Sequence, residues 1–221
     1  MDPYQFPMMD QYIGSESFQR DKWNLVYAIH GRRTPWMQSE IPTDLLDRFI
    51  TLVPPASRVL DYAAGNGRLA NRIRPFRSTV AADLSFFALS AATDQSLLKV
   101  CTGTALCFRP KSFGGVICWG LLHHLRPESW AWWVSSLTIP LVQGGCLLIG
   151  MFDCSDIQFV NEESRRSPTT KMDTYCLRDN HAEMLISDDL EKIECETLIL
   201  RDSGRENART WRYVLARRRT P

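Results

Sequence analysis

Residues 59–69 read VLDYAAGNGRL, and this stretch decides the fold. A buried strand, RVLDY, carries Asp61 at its end, a glycine-bearing turn follows, and a helix begins near Asn66. Gly65 and Gly67 let the backbone approach a ligand closely, while the helix start presents unpaired N–H groups. Asp83 closes the next strand, VAADLS, at a spacing where an acidic side chain accepts hydrogen bonds from both hydroxyls of a ribose. Together these features point to a cofactor that contains a nucleoside. A plain strand-to-helix turn accounts for the glycines but leaves Asp83 unexplained. The G-x-G-x-x-G register is incomplete and no G-x-x-x-x-G-K-[ST] occurs, which weakens the dinucleotide and P-loop readings.

Downstream, the apolar runs STVAADL, LLKVCTG, FGGVICWG and GGCLLIGMF read as further strands. Helices are predicted over Arg68–Arg74, over Phe86–Ala92, and through the stretch holding Trp130, Trp132, Trp133 and Leu137. Strands alternating with helices imply right-handed crossovers and a parallel sheet covered on both faces. IECETLILR and TWRYVLAR follow with a Gly204-containing turn between them and no helix, so the sheet is expected to end in an antiparallel hairpin. Upstream, a helix is expected from Thr43 to Val53, with Leu45, Leu46, Phe49, Ile50 and Val53 on one face and Pro54 and Pro55 ending it. The chain divides into an aromatic-rich N-terminal helical cap, 1–56, and a core, 57–221. The polar stretch 154–179 reads as a partly mobile loop near the site or as a surface linker.

The Asp61–Gly67 segment resembles motif I of the class I S-adenosylmethionine (SAM) dependent methyltransferases, D-x-G-x-G-x-G, with Ala63 at the first glycine. Asp83 matches that family's ribose-binding acid. LLHHL after the fourth strand and LVQGGCLLI before the fifth are similar to segments of its small-molecule members. The resemblance implies a Rossmann-like, doubly wound seven-stranded sheet of order 3-2-1-4-5-7-6 with the last strand antiparallel. It also implies SAM as cofactor, held by Asp61, Ala63, Gly65, Gly67, Asp83, Leu84, Thr104, Ala105 and Trp119. Ala63 is tolerated where the turn keeps φ negative. The segment DKWNLVYAIHGRRTPW is similar to the cap helix of small-molecule methyltransferases, which implies Trp23, Tyr27 and Trp36 over the sulfonium and Arg33 (or Arg32) on the methionine carboxylate. His123, beyond the fourth strand, is the candidate proton acceptor, and His124 is expected to cap or pack the turn.

A net charge of +1 excludes a strongly basic polyanion binder and favours a small acceptor. The arginines at 72, 74 and 77, the Arg165–Arg166 pair and the terminal RRRTP keep RNA or tRNA modification as an alternative. A non-catalytic SAM-fold partner subunit is a second alternative, motivated by Ala63 and by the missing acid after strand three. No apolar run spans a bilayer and no leader is visible, so a cytoplasmic protein is expected. Seven cysteines with no C-x-x-C pair suggest neither a disulfide framework nor a metal site, and reduced thiols are expected throughout. The sequence does not set the oligomeric state.

Overall fold

A computed structural model describes residues 16–30, 39–92, 94, 96–103, 107–159, 162–168, 170–201 and 208–220. In chain order the elements are α1 (Glu16–His30), α2 (Thr43–Leu52), β1 (Val59–Tyr62), α3 (Arg68–Ile73), β2 (Thr79–Asp83), α4 (Phe86–Ser90), β3 (Leu98–Cys101) and β4 (Phe113–Trp119). Then come α5 (Trp130–Thr138), β5 (Leu141–Phe152), β6 (Ser164–Arg166), β7 (Asp173–Tyr175), β8 (Leu190–Leu200) and β9 (Arg209–Arg218). The main sheet has the order β3-β2-β1-β4-β5-β9-β8, and β6 and β7 form a separate pair. Once that inserted pair is set aside, the order is the expected 3-2-1-4-5-7-6. β9 runs antiparallel to both β5 and β8.

Strand periodicity explains how the sheet is covered. Successive side chains point to opposite faces, so alternate residues of one strand enter different cores. Leu60, Val116, Cys118, Leu147, Ile149 and Val214 face α5, where Trp130, Trp133, Val134 and Leu137 complete one cluster. Their neighbours Val59, Ile117, Cys146, Leu148, Tyr213 and Leu215 face the other side, against Leu45, Leu46, Phe49 and Ile50 of α2 and Ile73 of α3. β1 is buried along its whole length, as a central parallel strand requires. α2 therefore covers the sheet, although it lies in the aromatic-rich N-terminal segment.

Two expectations change. Stretch 154–179 contains a 3-10 turn, Ile157–Phe159, followed by β6 and β7. It also contains a disulfide between Cys154 and Cys176, so the expectation of reduced thiols throughout is wrong. The spacing in sequence hides this pair because a 22-residue excursion separates the two positions, whereas the fold returns their Cα atoms to 4.9 Å. The bridge Asp153↔Leu177 and the bond from Leu177 N to Phe152 O close the same excursion through the backbone. The argument for a reducing compartment lapses for that pair. The turn around Gly204 lies outside the described residues, among which no helix is long and apolar enough to cross a membrane.

Candidate active site

A cavity of ≈ 420 Å³ opens at the carboxyl ends of β1, β2, β4 and β5. One end is built by the motif turn. Asp83 closes β2, its Oδ2 accepting from Gly65 N at 2.7 Å and its Oδ1 from Ser85 N at 2.8 Å. Each oxygen keeps a second lone pair for a hydroxyl donor. Burial pushes the Asp83 carboxyl up to about 6 against these N–H bonds. Asp61 is buried, accepts from Ala70 N at 2.9 Å, and is raised by burial to about 7. It ties β1 to α3 and lines the cavity floor. Ser85 caps α4, accepting from Ala88 N at 3.1 Å, and its hydroxyl donates to Asn24 Oδ1 at 2.8 Å. That bond holds α1 over the site.

Gly65 and Ala63 carry the turn's left-handed backbone. A Cβ on Gly65, whose φ is +56°, would lie 2.8 Å from the Tyr27 hydroxyl oxygen. Ala63 has φ 59°, which contradicts the expectation that this position keeps φ negative. Gly67, which caps α3, is left-handed too, so the turn holds three left-handed residues where the sequence supplies two glycines, and alanine bears the strain. Ala63→Gly is expected to raise stability by about 0.5–1 kcal/mol, read as an increase in Tm; a decrease would show that the Ala63 methyl contributes more by packing than it costs in strain.

The other end of the cavity is aromatic. His123 stacks on Phe152 with ring centroids 4.4 Å apart, and Phe152 lies 4.7 Å from Trp211. Trp119 stacks on Trp211 at 5.2 Å and covers Gly150, where a Cβ would come within 2.2 Å of the indole. The turn bearing His123 and His124 is fixed from beneath, because Trp130 Nε1 donates to Leu122 O at 2.9 Å and to Leu125 O at 3.0 Å. The two imidazoles meet through Nε2 atoms 3.1 Å apart, so one donates and the other accepts. His123 is 4% exposed and burial lowers its pKa well below the usual histidine range; His124 is pushed down to about 4 for the same reason. Both are neutral near pH 7.

The structure places Asp61, Ala63, Gly65, Asp83, Leu84, Trp119, His123, Trp23 and Tyr27 on this one cavity. Trp23 lies edge-on to His124 at 5.0 Å, and His124 also lines the cavity rather than only packing its turn. Gly67 instead caps α3 outside the lining, where a Cβ would meet Leu97 Cδ2 at 2.7 Å. Thr104, Ala105, Arg32, Arg33 and Trp36 lie outside the described residues. Sequence reading missed Arg68, Phe152, Gln158, Arg209 and Trp211. The rule that sites lie at strand carboxyl ends reaches Phe152. Trp211 escapes it because β9 is antiparallel and brings its beginning to that edge.

No family model matches the chain, and no curated protein matches it in sequence. Solved structures do match. A SAM-dependent methyltransferase from Anabaena variabilis aligns with TM-score 0.71 and 15% identity over 91% of this chain and 95% of that one. The fold is that of the class I SAM-dependent methyltransferases. The 1,6-didemethyltoxoflavin-N1-methyltransferase of Burkholderia thailandensis, with its acceptor and S-adenosylhomocysteine bound, aligns with TM-score 0.65 and 16% identity over 93% of this chain and 90% of that one. Magnesium protoporphyrin IX methyltransferase from Synechocystis, with SAM bound, gives TM-score 0.63 and 14% identity over 92% and 96%. Within the class I methyltransferase fold, the cavity of this chain lies at the strand ends where open α/β sheets bind their ligands.

Proposed function

We propose that the chain is a SAM-dependent methyltransferase acting on a small molecule. The observation that carries this is a single cavity joining the Asp83–Gly65 turn to the His123–Phe152–Trp211 wall. Its size, ≈ 420 Å³, lies within the ~300–1,000 Å³ usual for small-molecule sites. The residues fit the cofactor. Asp83 retains acceptor capacity for two ribose hydroxyls, and the glycine at 65 leaves room beneath Tyr27. Leu84, Thr102 and Gly103 line the flank where an adenine would rest, and Trp23 and Tyr27 offer ring faces to a sulfonium.

When bound, the cofactor supplies an electrophilic methyl group, so the protein's part is alignment, exclusion of water and handling of one proton. α1 closes the site from above through Asn24 and Tyr27. His123 holds the acceptor end. Its Nε2 is engaged by His124, and its Nδ1, buried and without a hydrogen-bond partner among the described residues, is the ring nitrogen left to take the acceptor's proton.

Three of the arginines that kept RNA in view are engaged elsewhere. Arg72 pairs with Asp47 at 2.7 Å, Arg74 with Asp94, and Arg218 donates to Thr138 O at 3.0 Å. These contacts favour the small acceptor over a polyanion. Calorimetry tests the assignment: SAM and S-adenosylhomocysteine are expected to bind in the micromolar range, and no heat at millimolar ligand would overturn it.

A further inference from the structure

The acceptor end of the cavity is covered by β6 and β7, a hairpin inserted between two strands of the main sheet and closed at its base by the Cys154–Cys176 disulfide. In its register Arg165 stands opposite Thr174, and Arg166 opposite Asp173. Paired residues of an antiparallel ladder share a face, and neighbours along a strand alternate. One pair therefore turns inward and the other outward. Arg165 and Thr174 line the cavity, whereas Arg166 and Asp173 pair with each other at 3.8 Å. The basic pair read in the sequence as one patch is split between two faces.

The inward guanidinium has no acidic partner among the described residues. Arg209, another cation lining this cavity, is held by the buried Asp156 at 3.2 Å. Glu40 lines the cavity as well, and its Oε2 accepts from Arg201 N at 3.1 Å. Arg68, a further arginine on the cavity, donates to Ser39 O. Among the described residues Arg165, exposed on its hairpin, is thus the arginine there left to meet an anion, in the same cavity as the rings of Phe152 and Trp211, whose planes are tilted by 42°. Flat rings take a planar ring, and a guanidinium fork takes a carboxylate.

We infer that Arg165 selects the acceptor, a planar aromatic carboxylate whose ring lies against Phe152 and Trp211 and whose carboxylate binds the Arg165 guanidinium. This rests on the methyltransferase reading and narrows it to a substrate class. The test is calorimetry on protein saturated with S-adenosylhomocysteine, titrated with a hydroxynaphthoate, the corresponding naphthol and the corresponding naphthylamine. The carboxylate is expected to bind at least tenfold more tightly than either of the others, and Arg165→Ala to remove that preference. Arg166→Ala, on the outward face, is expected to retain it. Unchanged S-adenosylhomocysteine affinity in both variants reports that they fold. Equal binding of the three compounds, no binding of the naphthoate at millimolar concentration, or an unchanged preference in Arg165→Ala would overturn this inference alone. Failure of S-adenosylhomocysteine to bind the unmodified protein would overturn the methyltransferase reading and this inference with it.

Discussion

His123→Ala is expected to lower turnover at least a hundredfold while leaving SAM affinity within twofold, as removal of a positioned proton acceptor does. The measurement is release of S-adenosylhomocysteine with any acceptor that the unmodified enzyme turns over. The imidazole is buried between Phe152 and its neighbour His124, and desolvation keeps it neutral well below the usual histidine pKa. A neutral imidazole accepts a proton without first losing one. Because its pKa is depressed, protonation of His123 should cost no activity between pH 8 and 6. His123→Gln keeps an acceptor atom of similar reach but no transferable basicity, so it separates packing from proton transfer. Full activity in His123→Ala would remove the residue from the mechanism.

Asp83→Ala is expected to weaken SAM by about 1.5–3 kcal/mol, at least tenfold in Kd, through loss of the hydrogen bonds its carboxylate offers to ribose. The pH dependence carries a definite sign. Burial raises this carboxyl to about 6; Asp61 nearby is raised to about 7 by its own burial and, in smaller part, by the charge of Asp83. The ionised form of Asp83 is the better acceptor, so affinity should be full above pH 7 and fall as pH drops through 6. Asp83→Asn should bind weakly and lose most of that dependence. Calorimetry at several pH values checks both points; a steeper loss at high pH than at low pH would contradict the assignment.

The sheet was legible because its signal is local. Runs such as VLDY and GGVICW are buried on both faces, and only central parallel strands need so unbroken an apolar pattern. The motif turn was legible for a related reason: strand, glycine and acid lie within one short span, with Asp83 one strand further on. Its backbone was not. That Ala63 would take positive φ depends on how the turn must bend to bring Gly65 N onto Asp83, a constraint imposed by β2 and absent from the segment itself.

By itself, then, the sequence determined the doubly wound sheet, the Asp83–Gly65 end of the cavity and the turn that carries His123, since each is encoded by periodicity or spacing inside one βα unit. The tertiary structure decided the aromatic end. Phe152 and Trp211 meet only because β9 runs antiparallel beside β5, pairing positions 59 residues apart. Cys154 and Cys176 join only because the excursion between them folds back on its own base. Arg165 and Arg166, adjacent in the chain, separate only because a two-residue strand period places them on opposite faces of a hairpin whose register the rest of the fold sets. Contacts of that kind are set by which strands become neighbours, and a linear pattern does not record it.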